Sequence, residues 1–143
     1  MSDAAFSHIG LTCQDPVAME KFYTRHFGFQ RIRVVPLGED QIVFIRSGNL
    51  VLELFTAKEE RPVPQAVSDG PAYPGYRHLA FEVDDIHAKV KELGNDVTVN
   101  LGPFTFDDFI QGWAGVWVAD PEGNVIELCQ GFKEEDAPPA LVG

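Results

Sequence analysis

The 143-residue chain is expected to fold as an α+β protein, two paired βαβββ modules forming a cupped mixed sheet with helices on the outside. Three observations predict this. The sequence repeats itself: the stretch from Phe6 to Asp15 answers that from Tyr76 to Asp85, each with an aromatic two residues before a histidine and an aspartate seven after it. Each copy closes on the same pattern, a Gly-Asn turn and an apolar strand interrupted by one glutamate, Glu53 and Glu127. Between these ends, one stretch of helical apolar spacing is followed by short alternating runs, the mark of one helix and several half-buried strands.

In order, Phe6 to Cys13 reads as a strand with Ile9, Leu11 and Cys13 on one face and Phe6, His8, Gly10 and Thr12 on the other. Asp15-Pro16 starts a helix, because aspartate caps the free N–H groups and proline at the first helical position gives up no hydrogen bond. Met19, Phe22, Tyr23 and His26 follow at helical spacing, and Gly28 stops the helix. Strands are expected over 30–35, 41–46 and 50–55, separated by turns at 38–40 and 47–49. Residues 58–75 hold four prolines and read as an exposed linker. The second copy repeats the order: a strand over 76–83, a helix from Asp85 striped by Ile86, Val90 and Leu93, and strands over 96–101, 113–118 and 124–129. The irregular stretch 102–112 adds length before Trp113. The expected organisation is a first module over 1–57, the linker, a second module over 76–132 and an acidic tail over 133–143.

Composition narrows function. A formal net charge of −11 argues against nucleic acid, whose backbone selects a basic face. No apolar run approaches the roughly 20 residues of a membrane helix, and the N-terminus has no secretory pattern, so a cytoplasmic protein away from membranes is expected. Two cysteines, Cys13 and Cys129, are too few for a disulfide framework and read as buried thiols.

Strand alternation turns Leu52, Leu54, Ile126 and Leu128 toward a helix, which leaves Glu53 and Glu127 on the opposite face with His8 and His78. Any one of these four residues is ordinarily a hydrated or hydrogen-bonded side chain. Burying a carboxylate among apolar neighbours costs several kcal/mol, on the order of the effective desolvation penalty, unless it is paired or bound to metal. One His and one Glu per copy therefore supply the four donors of a metal site, His8, Glu53, His78 and Glu127, and the repeat is the whole argument for it.

These motifs resemble the vicinal oxygen chelate superfamily, which includes glyoxalase I, methylmalonyl-CoA epimerase, extradiol dioxygenases, fosfomycin resistance enzymes and bleomycin-binding proteins. The resemblance spans residues 5–131 and rests on His8-Ile-Gly-Leu, the helix from Asp15 to Tyr23, Leu52-Glu53-Leu54, the run from His78 to Asp85 and that from Asp120 to Leu128. It implies a divalent cation (Ni, Co, Zn or Mn) held by the same four residues. It also implies isomerase or lyase chemistry on a small substrate that chelates through vicinal oxygens, with Glu127 as general base and Glu53 facing it. An iron-dependent dioxygenase and a non-catalytic drug-binding protein are the alternatives. Glyoxalase I enzymes commonly carry an arginine and an asparagine where this chain has Thr12 and Ala57, so glutathione hemithioacetals are expected to be poor substrates. A homodimer is expected, since a cupped sheet leaves apolar surface to cover. Phe104, Phe106, Phe109 and Trp113 are candidates for a pocket wall or interface, and Arg31, Arg33 and Arg46 for contact with an anionic substrate.

Overall fold

The structure, a computed structural model, describes residues 3–143. Its elements run β1 (Ile9–Cys13), α1 (Pro16–Phe27), β2 (Gln30–Leu37), β3 (Asp40–Ser47), β4 (Leu50–Thr56), then β5 (Leu79–Glu82), α2 (Ile86–Leu93), β6 (Thr98–Thr105), β7 (Ala114–Ala119) and β8 (Val125–Gln130). They form two four-stranded mixed sheets, ordered β1-β4-β3-β2 and β5-β8-β7-β6, so the α+β reading with two βαβββ modules is borne out. In each sheet the first strand pairs parallel with the last, and the other pairings are antiparallel.

The chain divides into two compact units. The first runs to Ala66 and adds residues 95–97 and 120–124; the second holds 67–94, 98–119 and 125–143. In the first, the Asp15 carboxylate accepts the Ala18 N–H at 3.0 Å, and Gly28 ends α1 in the left-handed region at φ 68°. The helix buries Met19, Phe22, Tyr23 and His26 on one side. Ile45, Leu52 and Leu54, all fully buried, form the matching core of the sheet. Burial of each such side chain is worth about 1.5–3 kcal/mol, so this face fixes the strand register. In the second unit the Asp85 carboxylate caps α2 through His87 N and Ala88 N. Ile86 and Leu93 are buried there, as are Val116, Val118, Ile126 and Leu128 of the sheet.

The largest departures from the sequence reading are at three boundaries. β1 begins at Ile9 rather than Phe6, and β5 at Leu79 rather than Tyr76. The ladder explains this: pairing of β1 starts at Ile9↔Leu52 and of β5 at Leu79↔Ile126, and residues before them have no strand partner. Phe6 and Tyr76 are accordingly exposed and share no strand face with the histidines. β6 extends into the stretch 102–112 expected to be irregular, reaching Thr105 by way of register shifts between Val99 and Phe104.

Candidate metal centre

Alternation sets the two glutamates, whereas His8 and His78 each lie one residue before a strand, β1 and β5, and not on its face. In β4, Leu52 and Leu54 are buried, and Glu53 between them turns to the other face of the sheet with its register partners Gly10 and Phe44. His8 lies just before β1, and its Nε2 comes within 3.1 Å of Glu53 Oε1. Ser7 Oγ lies 2.7 Å from His8 Nδ1, and Phe44 meets the imidazole edge-on at 5.9 Å between ring centres. The second unit repeats the arrangement. His78 Nε2 stands 3.0 Å from Glu127 Oε1, and both side chains are largely covered.

His78 carries the most informative contact. Its Nδ1 is hydrogen-bonded to the Asp69 carbonyl oxygen, which can only accept, so Nδ1 must carry a proton. A neutral His78 then presents the bare lone pair of Nε2 to the Glu127 carboxylate at 3.0 Å. Two acceptors at that distance repel unless a cation or a proton lies between them. A carbonyl holding Nδ1–H is also the usual outer support of a metal-bound histidine.

The structure brings His8 to Glu53 and His78 to Glu127. Among the described residues no group of three or more His, Cys, Asp or Glu side chains gathers as a metal site would. Each pair offers one nitrogen and one oxygen donor, half of a four-coordinate set. Glu82 ends β5, exposed. Thr12 pairs with Phe55 in register on the Glu53 face, and the Ala57 N–H donates to the Cys13 carbonyl.

Three residues near the pairs escaped the sequence reading. Ser7 and Asp69 act through a local contact and a backbone oxygen, which carry no residue-type signal. Trp117 was legible in principle: it is the register partner of Glu127 and so shares its face. Its ring lies 6.3 Å from His78 and 6.3 Å from Phe106, with Phe104 at 6.4 Å. Phe106 in turn meets Trp113 at 4.9 Å in a tilted pair, so Phe104 and Phe106 adjoin Trp117 and Trp113 lies one ring further from His78. Phe104 and Phe109 are both exposed. The Trp117 Nε1–H is buried without a hydrogen-bond partner among the described residues.

Neither cysteine is chemically primed. Burial, reinforced by the Glu122, Asp120 and Asp15 carboxylates, pushes the Cys13 thiol up to about 12. Burial and the neighbouring Glu127 raise Cys129 to about 11.

Comparison with known proteins places the chain in a family. The sequence pattern of the Glyoxalase/Bleomycin resistance protein/Dioxygenase superfamily matches residues 5–128. The Escherichia coli protein YaeR is 30% identical over 128 residues, covering 85% of this chain and 92% of its own. A glyoxalase family protein from Enterococcus faecalis, solved by crystallography, is 25% identical with a TM-score of 0.66, covering 87% of this chain and 96% of its own. The fosfomycin resistance protein FosX of Listeria monocytogenes, solved with Mn(II) and sulfate, shares the fold at 14% identity and a TM-score of 0.63, over 92% of this chain and 95% of its own.

Proposed function

The chain belongs to the glyoxalase/bleomycin resistance protein/dioxygenase superfamily, and we propose that it is a cytoplasmic, metal-dependent enzyme of the isomerase or lyase type. Its substrate is a small molecule that meets the cation through two neighbouring oxygens. His8, Glu53, His78 and Glu127 supply the donors, the two pairs being united within a chain or between the chains of a homodimer. The observation that carries this reading is the His78 contact set: with Nδ1–H held by the Asp69 carbonyl, the Nε2 lone pair lies 3.0 Å from the Glu127 carboxylate, close enough for both atoms to bind one cation side by side. Two imidazole nitrogens and two carboxylate oxygens suit Ni, Co, Zn or Mn, with geometry and supply deciding among them. FosX, which shares the fold, is described with Mn(II).

His8, Glu53, His78 and Glu127 would hold a divalent cation, which would supply Lewis-acid stabilisation of negative charge on the substrate's vicinal oxygens. The chain's own residues do the rest. Glu127 accepts the proton from the carbon beside the substrate carbonyl, since a general base must lie within hydrogen-bond reach of the proton it takes. Asp69 holds the His78 ring in one tautomer. Trp117, the register partner of Glu127 and a neighbour of the His78 ring, covers the pair on the same face.

Elemental analysis of protein expressed with these metals supplied tests the site: about one ion per site is expected, and His78→Ala is expected to lose most of it. Proton transfer is read by solvent deuterium exchange into a panel of hydroxy-ketones and acyl-CoA thioesters. Glu127→Gln is expected to slow exchange about 10²-fold or more, the usual scale of general base catalysis, while Glu82→Gln leaves it near wild type. Exchange by Glu127→Gln at the wild-type rate rules out this base. Oxygen consumption by the iron-loaded protein identifies the dioxygenase alternative, and ligand binding without metal the drug-binding one.

A further inference from the structure

The face of the first sheet that carries His8 and Glu53 also carries two arginines that no carboxylate neutralises. The chain has six arginines against 22 acidic residues, and four of them bond to an acidic residue. Arg25 pairs with Asp96, Arg31 with Glu20, Arg77 with Asp69, and Arg61 donates to the Glu122 carbonyl. Arg33 and Arg46 have no ion pair or hydrogen bond among the described residues, although the chain is strongly acidic and both are exposed.

Register shows why these two differ from Arg31. Arg31 is the partner of Ile45, a core residue, so its side chain lies on the helix side, where Glu20 of α1 meets it at 2.6 Å. A register shift follows at once, and Arg33 becomes the partner of Phe44, which is itself the partner of Glu53. Glu53, Phe44 and Arg33 therefore form one row across β4, β3 and β2 on the site face. Two strand spacings put the Arg33 backbone about 10 Å from that of Glu53, a gap its side chain can largely span over the Phe44 ring. Arg46 is the partner of Val51, two residues from Glu53 along β4. That diagonal separates the backbones by about 7–8 Å, within reach of a long side chain. Despite this reach, Glu53 is paired with His8 and not with either arginine.

We propose that Arg33 and Arg46 form an anion-binding subsite beside His8 and Glu53, so that the substrate carries a carboxylate or phosphoryl group a few ångströms from its chelating oxygens. The inference rests on the metal-site reading of that pair and adds the class of substrate. Guanidinium groups suit the role, because their planar fork matches two oxygens of either anion. Phe44 between them and Glu53 offers an apolar floor for the carbon skeleton linking the two ends.

Hydroxamates present two vicinal oxygens and can be given different tails, so three probes separate the contributions. These are neutral acetohydroxamate, succinic monohydroxamate with a carboxylate tail, and phosphonoacetohydroxamate with a phosphonate tail. Calorimetric titration of the metal-loaded full chain is expected to show one anionic tail tightening binding about tenfold or more over acetohydroxamate, the scale of a charge-assisted hydrogen bond. Which tail gains more tells carboxylate from phosphoryl substrates. Arg33→Gln and Arg46→Gln are expected to abolish the gain while leaving acetohydroxamate affinity and metal content unchanged, and Arg31→Gln to retain it. Equal affinity for all three probes in wild type, or an undiminished gain in both variants, overturns the proposal. If the protein holds no metal, the metal reading fails by itself. Inorganic phosphate titrated into the metal-free chain then decides the subsite: binding lost in both variants sustains it, and no binding to wild type removes it.

Discussion

The Asp69 carbonyl can support His78 only while the chain around it keeps its course, and Gly70 holds that course. Gly70 has φ 120°, outside the range that other residues adopt readily, and a Cβ there would run into the carbonyl oxygen of Arg77. Gly70→Ala is therefore expected to destabilise the protein by about 1–3 kcal/mol, the usual cost of a residue forced into a sparse backbone region. It is also expected to lower metal content by moving Asp69 off the His78 ring, whereas a generic loss of stability would leave the folded fraction fully loaded. Urea melts and elemental analysis of the folded protein check the two parts separately. The thiols allow a cleaner test at the same scale. With Cys13 at about 12 and Cys129 at about 11, the thiolate fraction at neutral pH is about 10⁻⁵ and 10⁻⁴. Alkylation by iodoacetamide is expected to be slower than that of free cysteine by about 100-fold or more for both. A thiol reacting at the free-cysteine rate would show that burial does not control its ionisation.

Among the elements, the turn between β7 and β8 does more than reverse the chain. Its residues 120–124 belong with the first unit, where Asp120 accepts from the Tyr23 hydroxyl at 3.0 Å and from Glu122 N, Asn124 N and Asn124 Nδ2. The Glu122 carboxylate takes the Gln14 and Asp15 N–H groups just ahead of α1. Burial nevertheless raises the Asp120 pKa above its ordinary 3.8, outweighing these donors. A carboxyl whose folded pKa stands above its unfolded value contributes most below 3.8, and that contribution is lost as pH rises through the folded value. Asp120→Asn has no such slope. Its stability relative to wild type is expected to improve between acid and neutral pH, read as the difference in urea midpoints; a constant difference refutes the raised pKa. Asp96, lowered by the His26 hydrogen bond, has the opposite slope in both proteins and cancels from the comparison. At this scale the sequence was most legible where chemistry is local. Asp15 read correctly as a cap, Asp85 as the start of a helix, Gly28 as a stop, and Leu52, Leu54, Ile126 and Leu128 as the buried companions of the two glutamates. Strand starts and the reach of β6 were less so, because they depend on which residues find a ladder partner far along the chain. The seat of the β7–β8 turn on Tyr23 spans 97 positions and left no periodic trace.

For the whole molecule, the repeat exposed the fold and both His–Glu pairs, since two copies of one pattern reveal what a lone histidine does not. Whether four donors share one cation depends on assembly, which no spacing encodes. A homodimer is the expected assembly, and charge sets how it should respond to its surroundings. β2 lies at an edge of its sheet and exposes Ile32, Val34 and Leu37. An edge strand bearing apolar side chains favours association, through unpaired backbone groups and area removed from water. Against this, each chain brings a net charge of −11, so two chains repel at low ionic strength. Adding salt shortens the screening length to about 8 Å at physiological strength and about 3 Å at 1 M, weakening the repulsion while leaving apolar burial intact. The dimer is therefore expected to tighten as salt is raised, followed by light scattering at micromolar concentration with metal supplied. A monomer under every salt condition removes the dimer. A dimer that salt loosens would instead place opposite charges across the interface, with Arg33 and Arg46 the first residues to test by substitution, because they are the arginines that lack an acidic partner within the chain.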